Sequence, residues 1–469
     1  MLQKYNLLLL GIAFIAFSCS TKKEQQNNDA LLWVTSLDKS VLLKKVPIEN
    51  HSEKPPGNAV IINIDTTKTY QTMDGFGYSL TGGSAMHLYK MSDSARIKIL
   101  EELFGTGKNS IGASYLRISI GSSDLDEKPW SYDDIAEGKT DENLEHFSLA
   151  YDTLYLIPVL KDILKINPDI KIMGSPWSPP KWMKTNNDTR GGSLKKAYHE
   201  VYAQYFVKYL KAMEEHGITL DAITVQNEPL HPGNNPSTLM LAAQQADFIK
   251  HNLGPAFNKN NITTKIVIYD HNADRIDYPI SILDDPEAAK YIDGAAFHLY
   301  GGEIDALSKV HQKHPDKNLY FTEQWVGAPG DFEKEMEWHT ENLIIGATRN
   351  WCKTVLEWNL AADEKMDPHT DRGGCDICLG AITIKSDSVS RNPAYYIVAQ
   401  ASKFIPPSSV RVASSTNDMV PNVTFKTKEG KIVSVILNKT DQPQQVQIKI
   451  GHTNVYVQVM ARAVATLVQ

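Results

Sequence analysis

The sequence predicts an α/β fold, a (β/α)8 barrel with a β-sandwich side domain built from the C-terminal segment and one or two N-terminal strands. Between residues 74 and 400, eight short apolar runs alternate with longer amphipathic stretches. This repeated strand-then-helix order predicts parallel strands joined by helical crossovers. From residue 410 onward, β-rich runs follow one another with only turn residues between them. The barrel and the sandwich therefore occupy separate parts of the chain.

The eight predicted barrel strands share a short apolar core that ends in polar or aromatic residues. They are residues 74–80, 114–120, 170–174, 222–226, 265–269, 294–299, 318–322 and 354–358. Residues 197–216 illustrate the predicted helices, because their apolar side chains recur at spacings of three and four. A doubly wound open sheet is the alternative, but no glycine-rich dinucleotide motif follows an early strand. The barrel is therefore favoured.

Both ends of the chain have strand character. Residues 60–64 alternate weakly, and residues 422–425, 432–437, 446–450 and 455–459 are β-rich runs separated by turns. We therefore predict five segments. They are a signal peptide (1–19), a disordered tether (20–30), N-terminal strands of the sandwich (31–73), the barrel (74–400) and the C-terminal sandwich (401–469).

The composition is that of an ordinary soluble globular protein. Apolar residues make up 42% and charged residues 22%, and the net charge is -7 with a pI of about 6.1. This balance offers no basic surface for a phosphate backbone, so nucleic-acid binding is excluded as a starting hypothesis. We expect a monomer.

The N-terminus predicts export and lipid anchoring. Lys4 supplies a positive charge, an apolar run follows at residues 7–17, and Cys19 ends that run. This arrangement resembles a bacterial lipoprotein processing site, and acyl chains on Cys19 would hold the protein at the outer membrane, on its periplasmic or surface face. The alternative is ordinary signal-peptide cleavage with Cys19 incidental.

The other three cysteines predict no metal site. Cys375 and Cys378 form a disulfide or remain free thiols, because a structural zinc site would need two more soft ligands. Cys352 follows Trp351 at the start of an apolar run and is predicted to be a buried small hydrophobe. We expect neither a metal nor an organic cofactor.

The candidate chemistry lies at the strand ends, where barrel enzymes carry their functional groups. Glu228 ends the fourth predicted strand and Glu323 ends the seventh, so the two can meet only across the barrel mouth. Hydrolysis of a glycosidic bond needs such a pair, one carboxylic acid to protonate the leaving oxygen and one carboxylate to attack or to activate water. Either glutamate alone would be read as a solvated strand end.

At these positions the sequence resembles glycoside hydrolase family 30, which contains glucosylceramidases, β-1,6-glucanases and some xylanases. The resemblance covers roughly residues 60–410. The matching segments are Asp74-Gly75-Phe76-Gly77, Tyr115-Leu116-Arg117, residues 175–186, Gln226-Asn227-Glu228-Pro229, Phe297-His298-Leu299-Tyr300, Glu357-Trp358-Asn359-Leu360 and Ser402-Lys403-Phe404-Ile405-Pro406. The run from Ser175 to Asn186, combined with the order of the set, is highly specific.

The resemblance implies a role for each matching position. Glu228 matches the general acid/base and Glu323 the nucleophile of a retaining mechanism. Family residues that contact the sugar are matched by Asp124, Trp177 and Asn227. Trp358 matches an aromatic wall of the site. The residues that support the nucleophile are matched by Tyr300 and Arg117. Arg117 also has a structural interpretation as an ion pair beneath the rim. His298 is undecided between the site and the scaffold, and Glu357 is predicted to be structural.

The substrate implied is a β-linked glucan, with β-1,6-glucan favoured. A β-glucosylceramidase or exo-β-glucosidase is the alternative within the enzyme class. From another class, the protein could be a non-catalytic glycan-binding surface lipoprotein. Two carboxylates held close against their mutual repulsion argue for catalysis, because a binding module has no need of them.

Overall fold

The computed structural model describes Met1 and residues 30–48 and 59–469. Eight parallel strands close into a barrel, and each follows its predecessor along the chain, with the last pairing back to the first. They are β4 (Gly75–Ser79), β5 (Tyr115–Ser119), β6 (Lys171–Ser175), β7 (Ala222–Thr224), β8 (Lys265–Asn272), β9 (Ile292–His298), β10 (Asn318–Glu323) and β12 (Cys352–Asn359). The predicted fold class is confirmed, and all eight predicted strands are present.

Helices cover the outside of the barrel. They are α1 (Gly82–Lys90), α2 (Asp93–Phe104), α3 (Leu156–Ile166), α4 (His199–Glu215), α5 (Ala242–Phe248), α6 (Gly254–Lys259), α7 (Asp277–Leu283), α8 (Pro286–Ala289), α9 (Ala306–Lys313), α10 (Phe332–His339) and α11 (Pro393–Ser402). The helix predicted at 197–216 corresponds to α4, preceded by one 3-10 turn. Its apolar stripe is buried, as the spacing predicts. No helix of the described residues is both long and apolar enough to cross a bilayer.

The barrel interior is filled by side chains rather than open. A layer of seven buried residues, one from each of seven strands, packs together inside it: Tyr115, Met173, Ala222, Val267, Ala296, Tyr320 and Leu356. Because side chains alternate along a strand, the inward residues of the next layer lie two positions further on. That next layer is polar, and it forms the floor of the barrel mouth.

The side domain is a nine-stranded sheet that contains both ends of the described chain. Its order is β2-β1-β22-β19-β18-β17-β3-β20-β21. The strands are β1 (Leu31–Ser36), β2 (Lys44–Val46), β3 (Val60–Thr72), β17 (Val410–Ser414), β18 (Asn422–Lys426), β19 (Ile432–Asn438), β20 (Gln444–Ile450), β21 (Thr453–Val459) and β22 (Ala463–Val468). The expected joining of N-terminal strands to the C-terminal sandwich is confirmed. Short strands β11 (Val326–Gly327), β13 (Ala361–Ala362), β14 (Cys378–Leu379), β15 (Ile382–Lys385) and β16 (Ser388–Arg391) lie near the barrel rim.

Strand β19 joins the two cores because it is buried on both faces. Ile432 and Ile436 pack into the core of the side domain, whereas Val433, Val435 and Leu437 pack into the core of the barrel. The alternation of a strand thus puts one set of apolar side chains in each domain. We infer that the two domains are held together by continuous apolar packing.

A buried polar contact also crosses this interface. Gln400 of α11 donates from Nε2 to Thr35 Oγ1 of β1 at 2.8 Å, and its Oε1 accepts from Thr466 Oγ1 of β22 at 2.7 Å. All three side chains are fully buried. The Thr466 hydroxyl also donates to the backbone carbonyl of Gln400. Gln400 therefore fixes the position of β22 against α11 through both its side chain and its backbone.

We predict that Gln400→Leu lowers the free energy of unfolding by about 1–3 kcal/mol, since two buried threonine hydroxyls lose a partner. Urea denaturation of the purified protein measures this change. Gln458→Leu, an exposed position on β21, is the matched control and should change stability by less than about 0.5 kcal/mol. Equal unfolding midpoints for the two variants would show that the contact contributes nothing.

Candidate active site

The polar layer at the barrel mouth is centred on Arg117. This residue lies two positions after Tyr115 on β5 and is fully buried. Its guanidinium donates to Glu323 Oε2 at 2.6 Å, to Asn227 Oδ1 at 2.6 Å, to Asp270 Oδ2 at 2.8 Å and, through Nε, to Ser175 Oγ at 3.1 Å. Arg117, on β5, therefore cross-links residues from the ends of four other strands, β6, β7, β8 and β10. The predicted contact between Arg117 and Glu323 is present.

Asp270 is the buried counter-ion on which this layer is built. It accepts hydrogen bonds from Arg117, His298 and three hydroxyl groups, those of Ser175, Thr224 and Thr322, at 2.7–3.2 Å. Burial opposes ionisation, but Arg117 and the donated hydrogen bonds hold the pKa of Asp270 far below its usual value. The carboxylate is thus permanently charged.

The backbone at Asp270 explains how it reaches the interior. Tyr269 and Asp270 have φ angles of 72° and 64°, in the left-handed region that non-glycine residues seldom adopt. The pairing of β8 with β9 shifts register between Tyr269 and His271. This irregularity breaks the two-residue alternation at the end of β8 and turns Asp270 toward Arg117. Such strain is typical of functional sites.

Glu323 ends β10 and is held by two donors. Arg117 bonds its Oε2, and the Tyr300 hydroxyl donates to its Oε1 at 3.0 Å. Burial raises the pKa of Glu323 above its usual value, and the carboxylates of Glu228 and Asp270 add to this rise. The positive charges of His298 and Arg117 oppose it. Because the guanidinium is in direct contact, we expect Glu323 to be ionised at neutral pH.

Glu228 faces Glu323 from the end of the fourth barrel strand. Its Oε1 lies 3.3 Å from His298 Nδ1, and its Oε2 accepts from Asn234 Nδ2 at 3.2 Å. Its φ angle of 44° marks the abrupt turn out of the strand. Burial raises the pKa of Glu228, but the hydrogen bond and charge of His298 outweigh burial and leave it below its usual value.

His298 lies between the two glutamates and belongs to the site. Its Nδ1 approaches Glu228, and its Nε2 lies 3.2 Å from Asp270 Oδ1. Burial lowers the pKa of His298, but Glu323, Asp270 and Glu228 outweigh it and raise the pKa to about 9. The imidazole therefore carries a proton at neutral pH. The sequence left His298 undecided between the site and the scaffold, and its contacts with Glu228 and Asp270 place it in the site.

The spacing of the two glutamates decides which reaction they suit. One carboxylate oxygen of Glu228 and one of Glu323 lie within 4.8 Å of each other. A pair separated by about 5–5.5 Å suits direct attack with retention, whereas inversion needs about 6.5–9.5 Å to admit a water molecule. The close approach of these two oxygens therefore favours the retaining arrangement.

Two tryptophans lie beside Arg117 in the site. Trp177 and Trp358 stack with ring centroids 5.4 Å apart, and the guanidinium carbon of Arg117 lies 4.9 Å and 5.7 Å from their centroids. They are only 2% and 3% exposed. The indole Nε1 of Trp177 is buried without a hydrogen-bond partner among the described residues, so it is a donor not yet used.

Asp124 and Asn227 complete the predicted set. Burial, together with the nearby charge of Glu323, raises the pKa of Asp124 to about 8, so this carboxyl is protonated at neutral pH and able to donate a hydrogen bond. The Asn227 amide uses its oxygen to accept from Arg117. Its Nδ2 group takes no part in that contact and is a potential hydrogen-bond donor.

One wall of the mouth is formed by residues 367–378, and a disulfide bond between Cys375 and Cys378 lies at the end of this segment. The segment contacts the loops that follow β5 and β7. The Thr370 backbone amide donates to the Asp124 carbonyl at 2.9 Å, and Asn235 Nδ2 donates to the Asp371 carbonyl at 3.0 Å. Cys378 packs with Trp177 and Trp358. Cys352 is buried and free, as predicted.

Sequence reasoning missed Asp270 and Asn234. Asp270 and His271 directly follow the predicted fifth strand. The rule that functional side chains lie at the ends of barrel strands therefore applies to them as well. Asn234 lies in a loop whose path cannot be inferred from its residues. Glu357, predicted to be structural, accepts from His339 Nδ1 at 2.8 Å on the outer side of the barrel wall.

The family model for the glycosyl hydrolase family 30 TIM-barrel domain matches residues 73–405, and that for the family 30 β-sandwich domain matches residues 408–467. An endo-1,6-β-D-glucanase of Neurospora crassa is 34% identical over 421 residues, which cover 86% of this chain and 84% of the fungal protein.

Two further comparisons extend this result. The lysosomal acid glucosylceramidase of Mus musculus is 30% identical over 417 residues, covering 82% of this chain and 78% of the mouse protein. A solved structure of an endo-β-1,6-glucanase superposes with a TM-score of 0.87 at 33% identity and covers 94% of this chain and 99% of that one. The chain therefore belongs to glycosyl hydrolase family 30 and is a glycoside hydrolase.

Proposed function

We propose that the protein hydrolyses β-1,6-glucan with retention of configuration, using Glu323 as nucleophile and Glu228 as acid/base. The observation that carries the mechanism is the close approach of the two carboxylates, one oxygen of each lying within 4.8 Å of the other. Glu323 attacks the anomeric carbon as the bond to the leaving oxygen breaks, and that oxygen takes a proton from Glu228. Glu228 then removes a proton from the water that releases the sugar.

The surroundings of each glutamate suit its proposed role. Arg117 and Tyr300 fix both oxygens of Glu323 and keep it charged, the state in which a carboxylate attacks. His298 carries a proton 3.3 Å from Glu228 and is the source from which that carboxyl is supplied. Asn227, Asp124 and Trp177 present donors to the hydroxyls of the sugar held between the glutamates.

Support for the substrate comes from the relatives. The fungal relatives of this chain are named endo-1,6-β-D-glucanases, and they are 33–34% identical to it. The mouse glucosylceramidase, at 30% identity, supports the second candidate, hydrolysis of a β-glucoside such as glucosylceramide. A glycan-binding protein without activity is the third, and the strained, fully paired arrangement around Asp270 argues against it.

We expect the wild type to release glucose oligomers from β-1,6-glucan faster than from β-1,3- or β-1,4-glucan or from glucosylceramide. Glu323→Ala should reduce turnover of every substrate by about 10⁴-fold or more, because no attacking group is left. Reducing-sugar release with linkage analysis of the products measures both effects. Wild-type inactivity on the whole panel would leave the glycan-binding alternative standing.

Glu228→Ala provides the matched comparison. It should lose activity on glucan but keep the first step on dinitrophenyl β-glucoside, whose leaving group needs no proton. Azide should restore turnover with a β-configured glycosyl azide, because the nucleophile is still present. Identical behaviour of the two alanine variants on this substrate would show that the roles are wrongly assigned.

The raised pKa of His298 predicts an alkaline limit to activity. Below a pH of about 9 the imidazole holds the proton shared with Glu228, and above it that proton is lost. We expect kcat/KM on glucan to fall as pH rises through about 9, and His298→Gln to move this fall to lower pH by at least about one unit. With dinitrophenyl β-glucoside the fall should be absent. The same alkaline limb for both substrates would contradict this source of the proton.

We also propose that the protein is exported as a monomer and anchored in the cell envelope by lipid on Cys19. Lys4, the apolar run at residues 7–17 and Cys19 support this, and these residues lie outside the described part of the chain. Cys19→Ser should move the protein from the membrane fraction to the soluble fraction and abolish incorporation of labelled palmitate. Unchanged labelling in Cys19→Ser would rule out this anchor.

A further inference from the structure

We propose that Asp133, Asp141 and His146 form a binding site for a divalent transition-metal cation such as Zn²⁺. All three lie in the long segment between β5 and α3, and the cluster shares no residue with that of Glu228, His298 and Glu323. The sequence offers no metal motif there, because the three residues are spaced by eight and five positions. Only the fold brings them together.

The three side chains lie close enough together to converge on one cation. Each of the three residues offers one potential ligand atom, and these atoms lie within 4.8 Å of one another. His146 Nδ1 is 2.8 Å from Asp141 Oδ2. Ligands bound to one metal at about 2.0–2.2 Å lie roughly 3–3.5 Å apart, so small movements of the three side chains would accommodate a cation.

Asp133 supplies an independent indication of a ligand. Its side chain is fully buried, and its Oδ2 accepts from Trp182 Nε1 at 3.0 Å. Its Oδ1 is also buried and has no hydrogen-bond partner among the described residues. A buried carboxylate oxygen without a donor is costly, and the structure offers it only the neighbouring acidic group.

The charge balance points to a cation. Within the described residues, no lysine or arginine forms an ion pair with Asp133 or Asp141, and the one basic group beside them is His146. The site of Glu228, Glu323 and His298 is the other described cluster with this ligand spacing. There Arg117 contacts Glu323 at 2.6 Å, so a guanidinium already supplies the positive charge.

The donor set selects the type of cation. Two carboxylates and one imidazole suit Zn²⁺ and related transition metals, whereas Ca²⁺ and Mg²⁺ are bound through oxygen ligands. The side chain of His146 is 69% exposed, so the site opens to solvent on that side. A cation can enter there, and water completes its coordination.

Cation binding at this site would affect the active site through Trp182. The indole of Trp182 donates to both the side chain and the backbone carbonyl of Asp133. Trp182 follows Trp177 by five residues in the loop after β6. A metal at Asp133 would therefore stiffen the loop that carries one of the two stacked tryptophans.

The experiment uses full-length protein stripped with a chelator and dialysed. Zn²⁺ alone should bind with a stoichiometry of one by titration calorimetry. It should also raise Tm by about 3 °C at a concentration about a hundred times the Kd. Ca²⁺ should leave Tm unchanged. His146→Ala, at an exposed position that should not impair folding, should abolish both Zn²⁺ effects, and Asp133→Asn should do the same.

His251→Ala is the matched control. His251 is also an exposed histidine whose Nδ1 bonds an aspartate, Asp247, at 2.9 Å, but it lies outside the proposed site. This variant should bind Zn²⁺ like the wild type. Absence of Zn²⁺ binding in the wild type, or equal binding in His146→Ala, would overturn the proposal. Both results are independent of glycosidase activity, so the mechanism proposed above stands or fails separately.

Discussion

The buried guanidinium of Arg117 is the interaction on which the rest of the site depends. A charge removed from water is costly unless its partners surround it, and here Glu323, Asp270, Asn227 and Ser175 do so. Those partners come from different strands, so each strand must end where its side chain can reach the guanidinium of Arg117. The polar floor of the barrel mouth, and with it the position of the attacking carboxylate, follows from this requirement.

Glu228 and Glu323 have the same side chain, but their neighbouring charged groups differ. Glu323 touches a cation that never loses its charge, whereas Glu228 touches an imidazole that can give up a proton. Asp270 links the two environments, since it pairs with Arg117 on one side and His298 on the other. Proton supply and nucleophile charge are thus set by one connected network.

The sequence is sufficient for the barrel and for the pair of glutamates, because strand period and strand-end chemistry are local properties. It is insufficient for Asp270, whose inward direction depends on a break in alternation at Tyr269 that no local pattern reveals. The state of His298 depends on carboxylates contributed by three other strands. Asp133, Asp141 and His146 meet only because a long irregular segment folds back on itself. In each case the missing information is a contact between parts distant along the chain.

The position of β22 in the sheet has a consequence for how the chain reaches its native state. This last strand is not at an edge but lies between β1 and β19, and it pairs with six residues of each. Until it is in place, both neighbours present unsatisfied backbone groups over their whole length, which is a template for aggregation. All eight barrel strands precede β22 in the chain, so the sheet of the side domain cannot be complete until β22 has been synthesised. Its completion is therefore a late, non-local event that joins β1 to β22.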